Sequence, residues 1–274
     1  VFAQIALHGE QPSRMIAAKA LRSREEPQAH EAAAILAMQS ESYPQRDADL
    51  ERLTEMVRGN LRKEVRDVWG AAAVALGRSG DPDALQLLRE TATQLLESEH
   101  ETDQMDGAFA ALGMAAGGDY TAWSQVQAQI VGPTLAPLTR QWALRTLAER
   151  WHAGDEAALD PIQTLFLDRS TPDAAGRRLR LATALFLEGP LPDAGDPVSR
   201  LAQELDARGA SAEEKVLGAA VRLRRGETSA RDELVAHIRP TLQQMPIEGD
   251  PALVDPLAHS RRIQALRALY LYDR

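Results

Sequence analysis

A short polar joint recurs along this chain at nearly regular intervals, and it restricts the possible folds more than any other feature. The glycine-acid pairs are Gly80-Asp81, Gly118-Asp119, Gly154-Asp155 and Gly195-Asp196, with weaker versions at Gly226-Glu227 and Gly9-Glu10. From Asp81 onward the acidic residues are 38, 36, 41 and 31 residues apart. A period of about 35–40 residues is typical of stacked helical hairpins.

The joint at residues 77–82, Gly-Arg-Ser-Gly-Asp-Pro, predicts the end of one helix and the start of the next. Asp81 can accept hydrogen bonds from the free N–H groups of a first turn, and Pro82 suits the first helical position. Gly80 can adopt the left-handed conformation that closes the preceding helix. Apolar residues with helical spacing flank the joint on both sides. We therefore predict a tight corner between two helices.

The composition favours helices throughout the chain. Ala, Leu, Arg, Glu and Gln dominate, whereas aromatic residues make up only 4% and valine and isoleucine are sparse. An alanine-rich helix with a leucine near its end is predicted before each joint, at Leu36, Leu76, Leu112, Leu147, Leu185, Leu223 and Leu269. The predicted helix pairs are 1–8 with 12–24, 27–40 with 48–59, 62–78 with 82–97, 103–116 with 120–131, 137–152 with 156–168, 174–188 with 197–208 and 212–225 with 228–238, followed by a last helix at 257–272.

Three stretches carry a resemblance to a known family: VRDVWGAAAVALGRSGDPDALQLL (65–88), DGAFAALGMAAGGDYTAWSQV (106–126) and RQWALRTLAERWHAGDEAALDPI (140–162). The chain resembles the HEAT-repeat α-solenoids, especially the short variant known from phycobilisome lyases. This resemblance implies an all-α fold, a right-handed α-solenoid of about seven HEAT-like helical hairpins. It covers nearly the whole chain and specifies the fold without specifying the function.

We expect residues 1–274 to form a single repeat array that is cut from a longer chain at both ends, because helical patterns lie close to both Val1 and Arg274. Two places depart from the repeat. The joint near residues 41–47 has no Gly-Asp, and residues 239–256 predict a longer proline-rich connection. Either place is a candidate for a bend or for an insertion with a function.

Charge and residue usage limit the classes of function. The net charge is −9 with a pI near 5.3, which counts against a dedicated nucleic-acid binder. The absence of cysteine excludes disulfides and thiolate metal sites, and it fits a cytoplasmic or a periplasmic protein. Arginine outnumbers lysine 28 to three, which we interpret as the composition of a GC-rich bacterial genome. No apolar run is long enough for a transmembrane helix, and no signal peptide is visible.

Motifs for catalysis or metal binding are weak. The stretch 77–80 has no following Gly-Lys-Ser/Thr, so it does not match a phosphate-binding loop, and no G-x-S-x-G elbow occurs. The pairs His30-Glu31 and His100-Glu101 are not at equivalent places in their repeats, so we predict no metal site and no cofactor there. A non-catalytic role is therefore favoured over catalysis.

The candidate partner-binding residues lie in the middle repeats. Trp142 and Arg145 fall on one helical face with Glu149 and His152, and tryptophan and arginine are favoured at interfaces. The alternative for Trp69, Trp123, Trp142 and Trp151 is that they fill gaps between hairpins. The family geometry places the second helix of each hairpin on the concave side, where we expect Gln86, Arg89, Thr93, Gln127 and Gln163 to be exposed. The predicted contacts are Arg89, Gln127, Trp142, Arg145 and Gln163.

Three functions remain open from the sequence. The first is a non-catalytic scaffold or adaptor that binds another protein along a curved solenoid surface. The second is a bilin-lyase-like enzyme or enzyme subunit, which an aromatic-lined groove near Trp123, Trp142 and Trp151 would favour. The third is a nucleic-acid-binding HEAT-like protein, which the acidic charge disfavours.

Overall fold

The computed structural model describes residues 11–24, 27–38, 45–59, 66–131, 137–170, 174–193, 195–208, 210–242 and 265–272. Within these ranges the chain is helical with joints and turns, and no strand occurs. The all-α class predicted from composition is thereby confirmed for the described residues. The chain divides into two compact units, Val1–Pro161 and Ile162–Arg274, and each is described by itself.

The first unit contains eight described helices. They are α1 (Gln11–Arg22), α2 (Pro27–Ala37), α3 (Arg46–Arg58), α4 (Arg66–Arg78), α5 (Pro82–Leu96), α6 (Glu101–Ala116), α7 (Trp123–Val131) and α8 (Pro137–His152). A 3-10 turn (Glu156–Ala158) leads into α9 (Leu159–Leu167), which spans the boundary between the units.

The second unit continues with α10 (Ala174–Phe186), a 3-10 helix (Pro197–Leu205), α11 (Ala212–Arg224), α12 (Ser229–Leu242) and α13 at residues 265–272. Two boundaries differ from the sequence prediction. The segment predicted as helix 197–208 is a shorter 3-10 helix, and α12 continues past the predicted start of the proline-rich connection at 239. The predicted helix 1–8, most of the joint near 41–47 and residues 243–264 lie outside the described residues.

Four joints have the left-handed glycine that the pattern predicts. The φ angle is +67° at Gly80, +91° at Gly118, +85° at Gly154 and +87° at Gly226. At the last three, the amide of the following acidic residue donates to the carbonyl five residues earlier at 3.0 Å, which closes the helix end. Gly195 is not left-handed, because α10 has already ended at Phe186 and Gly195 does not directly follow a helix.

The aspartates of the joints begin the next element as predicted. Asp81 accepts from the Ala84 amide at 2.9 Å, Asp155 from the Ala157 amide at 3.1 Å, and Asp196 from the Val198 amide at 2.8 Å. Ser211 does the same for α11 with Glu214 in a reciprocal capping box. A glycine that ends one helix and a carboxylate that starts another therefore make each corner short.

Helix α6 is the centre of the first unit. All residues from Asp106 to Ala116 are buried, because α6 packs against α4, α5, α7 and α8. The packing follows chain order: α2 contacts α3 and α4, and α4 contacts α5 and α6. Small residues allow this close contact, since a Cβ on Gly77 would lie 1.7 Å from the Gly113 carbonyl oxygen.

In the second unit, apolar residues of α11, α12 and α13 form one core cluster. Two consecutive arginines of α10, Arg177 and Arg178, are also buried. Arg177 donates to the Leu165 carbonyl at 3.2 Å, and Arg178 lies 3.0 Å from a carboxylate oxygen of Glu214 and 5.5 Å from the centre of the Phe166 ring. These guanidinium groups connect the end of α9, α10 and the start of α11.

Candidate protein-binding surface

The outer face of α5 is polar and exposed. Gln86, Arg89, Glu90, Thr93 and Gln94 are exposed on it. On the opposite face the buried residues are Ala84, Leu88, Ala92 and Leu95. The helical spacing of these two sets produces one polar face and one face in the core. The exposure predicted from the sequence is confirmed for Gln86, Arg89 and Thr93.

The side chain of Arg89 is held in place at the edge of this face. It donates to one carboxylate oxygen of Asp119 at 2.7 Å and 3.2 Å and to the Gln86 side chain at 2.8 Å. Burial of Asp119 raises its pKa, but hydrogen bonds from Thr121 and Arg89 outweigh burial and hold the pKa below its usual value. Arg89 therefore fixes α5 to the next joint while half of its side chain stays exposed.

The next joint continues this polar network. Arg150 donates twice to Asp155, at 2.9 Å and 2.8 Å, and the Tyr120 hydroxyl donates to the same oxygen at 3.2 Å. Burial and the neighbouring Asp155 charge raise the pKa of Tyr120 well above its usual value, so it stays protonated. A Cβ on Gly118 would lie 2.6 Å from the Arg150 guanidinium, so glycine also makes room for this contact.

The other predicted contacts lie in different surroundings. Arg145 on α8 is half-buried and donates to Glu149 at 2.8 Å, and Glu149 also pairs with Arg78 at the end of α4. Gln127 is half-buried on α7, and Gln163 is half-buried on α9 in the second unit, so the full exposure expected for both is not found. Trp142 belongs to α8, but its side chain lies outside the described residues.

Two of the four tryptophans are part of the core. Trp69 is fully buried and donates to the Val57 carbonyl at 3.3 Å. Trp123 is also buried, and its ring meets Tyr120 edge-on at 6.2 Å. Trp151 is half-buried on α8. Trp69 and Trp123 therefore lie in the core and not on an exposed face.

The sequence analysis did not identify that negative charge is concentrated in one segment of the chain. Residues 79–131 contain nine aspartates and glutamates and a single basic residue, Arg89, so they carry −8 of the chain's −9 charge. Counting charges by segment would have found it. Three of these carboxylates, Asp83, Glu90 and Glu97, are spaced by seven residues and exposed, so they form one line along the middle of the outer face of α5. We call this line the acidic stripe.

Each unit also has a described cleft. A cleft of about 310 Å³ opens beside α5 and is lined by Val57, Arg58, Gly59, Trp69, Leu87, Glu90, Thr91, Gln94 and Leu95. The second unit has an open cleft of about 560 Å³ around Arg222, which pairs with Asp206, Glu227 and Glu233. Burial lowers the pKa of Arg222, but these carboxylates outweigh burial and raise it.

No family model, curated protein or solved structure matches this chain. Within the described ranges, every helix is too short or too polar to span a membrane.

Proposed function

We propose that this chain is a non-catalytic protein-protein interaction scaffold or adaptor. In this proposal the hairpins continue as a right-handed HEAT-like α-solenoid of about seven repeats, and a partner protein binds along its curved surface. The packing of helices in chain order in the first unit supports this, because solenoid repeats contact their neighbours in sequence.

The observation that carries the proposal is the outer face of α5. Its polar side chains are exposed, yet hydrogen bonds between Gln86, Arg89 and Glu90 and the ion pair from Arg89 to Asp119 hold several of them in place. A preorganised surface loses less side-chain entropy when a partner binds. The proposed contacts are Arg89, Gln127, Trp142, Arg145 and Gln163.

Affinity capture of a partner from the native cell with the intact chain, followed by mass spectrometry, tests the proposal. Thr93→Trp places a large side chain on the outer face of α5, so we expect it to reduce capture of the partner at least about tenfold. Ala175→Trp is the matched control, because Ala175 is exposed near the start of α10, a first helix of its predicted hairpin. Equal capture by both variants, or turnover of a small molecule at this surface, would overturn the proposal.

A further inference from the structure

Along the middle of the outer face of α5, the charged side chains are all negative. Asp83, Glu90 and Glu97 lie on one line, and 14 residues of helix separate the first from the last, which corresponds to about 21 Å. The only basic residue of segment 79–131, Arg89, lies at the side of this line and is already paired with Asp119. Arg89 therefore does not neutralise the stripe.

The carboxylates of the stripe have no ion-pair partner among the described residues. Glu90 accepts one hydrogen bond from Gln86 at 2.8 Å, and this donor is neutral. Elsewhere in the described chain, arginines pair with Asp49, Asp119, Glu149, Asp155, Asp168, Glu204 and Glu214. The three stripe carboxylates, by contrast, are exposed and unpaired among the described residues.

Helix stability explains the N-terminal end of the stripe but not its C-terminal end. Asp83 lies in the first turn of α5, where a carboxylate interacts favourably with the helix dipole. Glu97 lies at the C-terminal cap of the same helix, where a negative charge is unfavourable. The charge at that end therefore costs stability in the free protein, and an opposite charge on a ligand would remove this cost.

A cleft beside α5 adjoins the outer face and shares Glu90 with the acidic stripe. Its volume of about 310 Å³ is at the lower end of the range for ligand pockets. Glu90, Thr91 and Gln94 line its α5 side and offer oxygen acceptors, while Leu87 and Leu95 contribute apolar surface. This combination suits a long side chain with an aliphatic stem and a cationic head. Arg58 lines the α3 side of the cleft and opposes a cation there.

We infer that the partner of this surface presents a lysine- or arginine-rich polypeptide segment that lies along α5. Its cationic side chains pair with Asp83, Glu90 and Glu97, and one of them enters the cleft beside Glu90. This inference rests on the proposed scaffold function and names the chemistry of its partner. Because the stripe is exposed, the interaction weakens as salt shortens the Debye length.

The test uses a fluorescent peptide of about fourteen residues with lysine at every third or fourth position among alanines. Its anisotropy is measured against the full chain at low salt. We expect the triple substitution Asp83→Asn, Glu90→Gln and Glu97→Gln to weaken binding about tenfold. The matched control is the triple substitution Asp47→Asn, Glu51→Gln and Glu55→Gln, which removes three exposed charges from α3. Asp47 is the second residue of α3, as Asp83 is the second residue of α5. The control is expected to change binding less than about twofold.

The substitution Arg58→Gln is expected to change the affinity for the lysine peptide in the opposite direction. Arg58 lines the cleft and forms no ion pair among the described residues, so removing its charge is expected to tighten peptide binding about twofold. Unchanged helical circular dichroism and unfolding midpoints show that the variants are folded. A matching peptide with glutamate in place of lysine is expected not to bind.

Several outcomes would overturn the inference. These are absence of lysine-peptide binding, equal losses in both triple variants, calcium binding that needs the stripe, and self-association that the stripe variant abolishes. If Thr93→Trp abolishes partner capture while the stripe variant retains it, the scaffold proposal stands and the basic partner is rejected. If the stripe binds the peptide but no partner is captured, the scaffold proposal fails instead.

Discussion

At the residue scale, the left-handed glycines determine where the helices turn. Gly80 has a φ of +67°, and a Cβ added there would meet nothing within 4 Å. Gly195 also has open space around a Cβ, but its φ is not left-handed. Neither position is crowded but their backbone conformations differ, so together they separate the cost of that conformation from the cost of crowding.

We expect Gly80→Ala to lower the free energy of unfolding by about 1–2 kcal/mol, because an L-residue is disfavoured in the left-handed region. Gly195→Ala is expected to be neutral or to stabilise the protein by up to about 1 kcal/mol, because alanine restricts the unfolded chain. Urea unfolding of both variants measures the difference. Equal free energies for the two variants would contradict the role of the left-handed joint.

The buried pair of Arg178 and Glu214 is a second feature at the residue scale. Both side chains are about 95% buried or more. Burial lowers the pKa of Arg178, and the Glu214 charge opposes that shift. Glu214 also accepts from the Ser211 amide at 2.7 Å, so one carboxylate serves both the ion pair and the helix cap.

We expect Glu214→Gln to destabilise the second unit by about 3 kcal/mol, because it leaves a buried guanidinium without its counter-charge. Glutamine can still complete the capping box, so the loss reports mainly on charge. Thermal unfolding measures the effect. Asp232→Asn, which removes an exposed carboxylate from α12, serves as control, and a comparable loss in that variant would argue against the buried pair.

At the element scale, α4 and α6 approach each other through glycines. A Cβ on Gly77 would lie 1.7 Å from the Gly113 carbonyl oxygen, and one on Gly113 would lie 2.5 Å from the Ala73 carbonyl oxygen. These neighbours are backbone atoms, which cannot rotate away. The small residues therefore set the distance between two adjacent hairpins.

Gly77→Ala is expected to lower the free energy of unfolding by about 1–3 kcal/mol, because the added methyl group forces the two helices apart. Alanine is the better helix former, so helix propensity alone predicts the opposite sign. Chemical denaturation distinguishes the two, with Gly195→Ala as the reference for a glycine-to-alanine change without crowding. A stabilised Gly77→Ala protein would show that the helices are not in close contact here.

At the scale of the whole molecule, the proposed solenoid predicts an elongated particle. A compact chain of 274 residues has a radius of gyration of about 19 Å. We expect small-angle scattering of the monomer to give a clearly larger value. A value near that of a compact sphere would contradict the solenoid, while the all-α class would still stand.

The sequence by itself determined the helices and the corners between them. Glycine, aspartate and proline act on their immediate neighbours, so Gly80, Asp81 and Pro82 predict a turn without knowledge of any distant residue. The same reasoning failed at Gly195, because a glycine is left-handed only if a helix ends directly before it. The helical spacing of apolar residues also predicted the exposed side of α5.

The tertiary structure alone decided which charges are neutralised. Arg89 meets Asp119 at a separation of 30 residues, and Arg78 meets Glu149 at a separation of 71. Such pairs depend on how helices dock, which no local pattern encodes. Arg46, Arg177 and Arg224 likewise donate to backbone carbonyls outside their own helices. The acidic stripe could be counted in the sequence, but only the docking of α5 shows that its carboxylates stay exposed and unpaired among the described residues, because burial and pairing are properties of the packed helices.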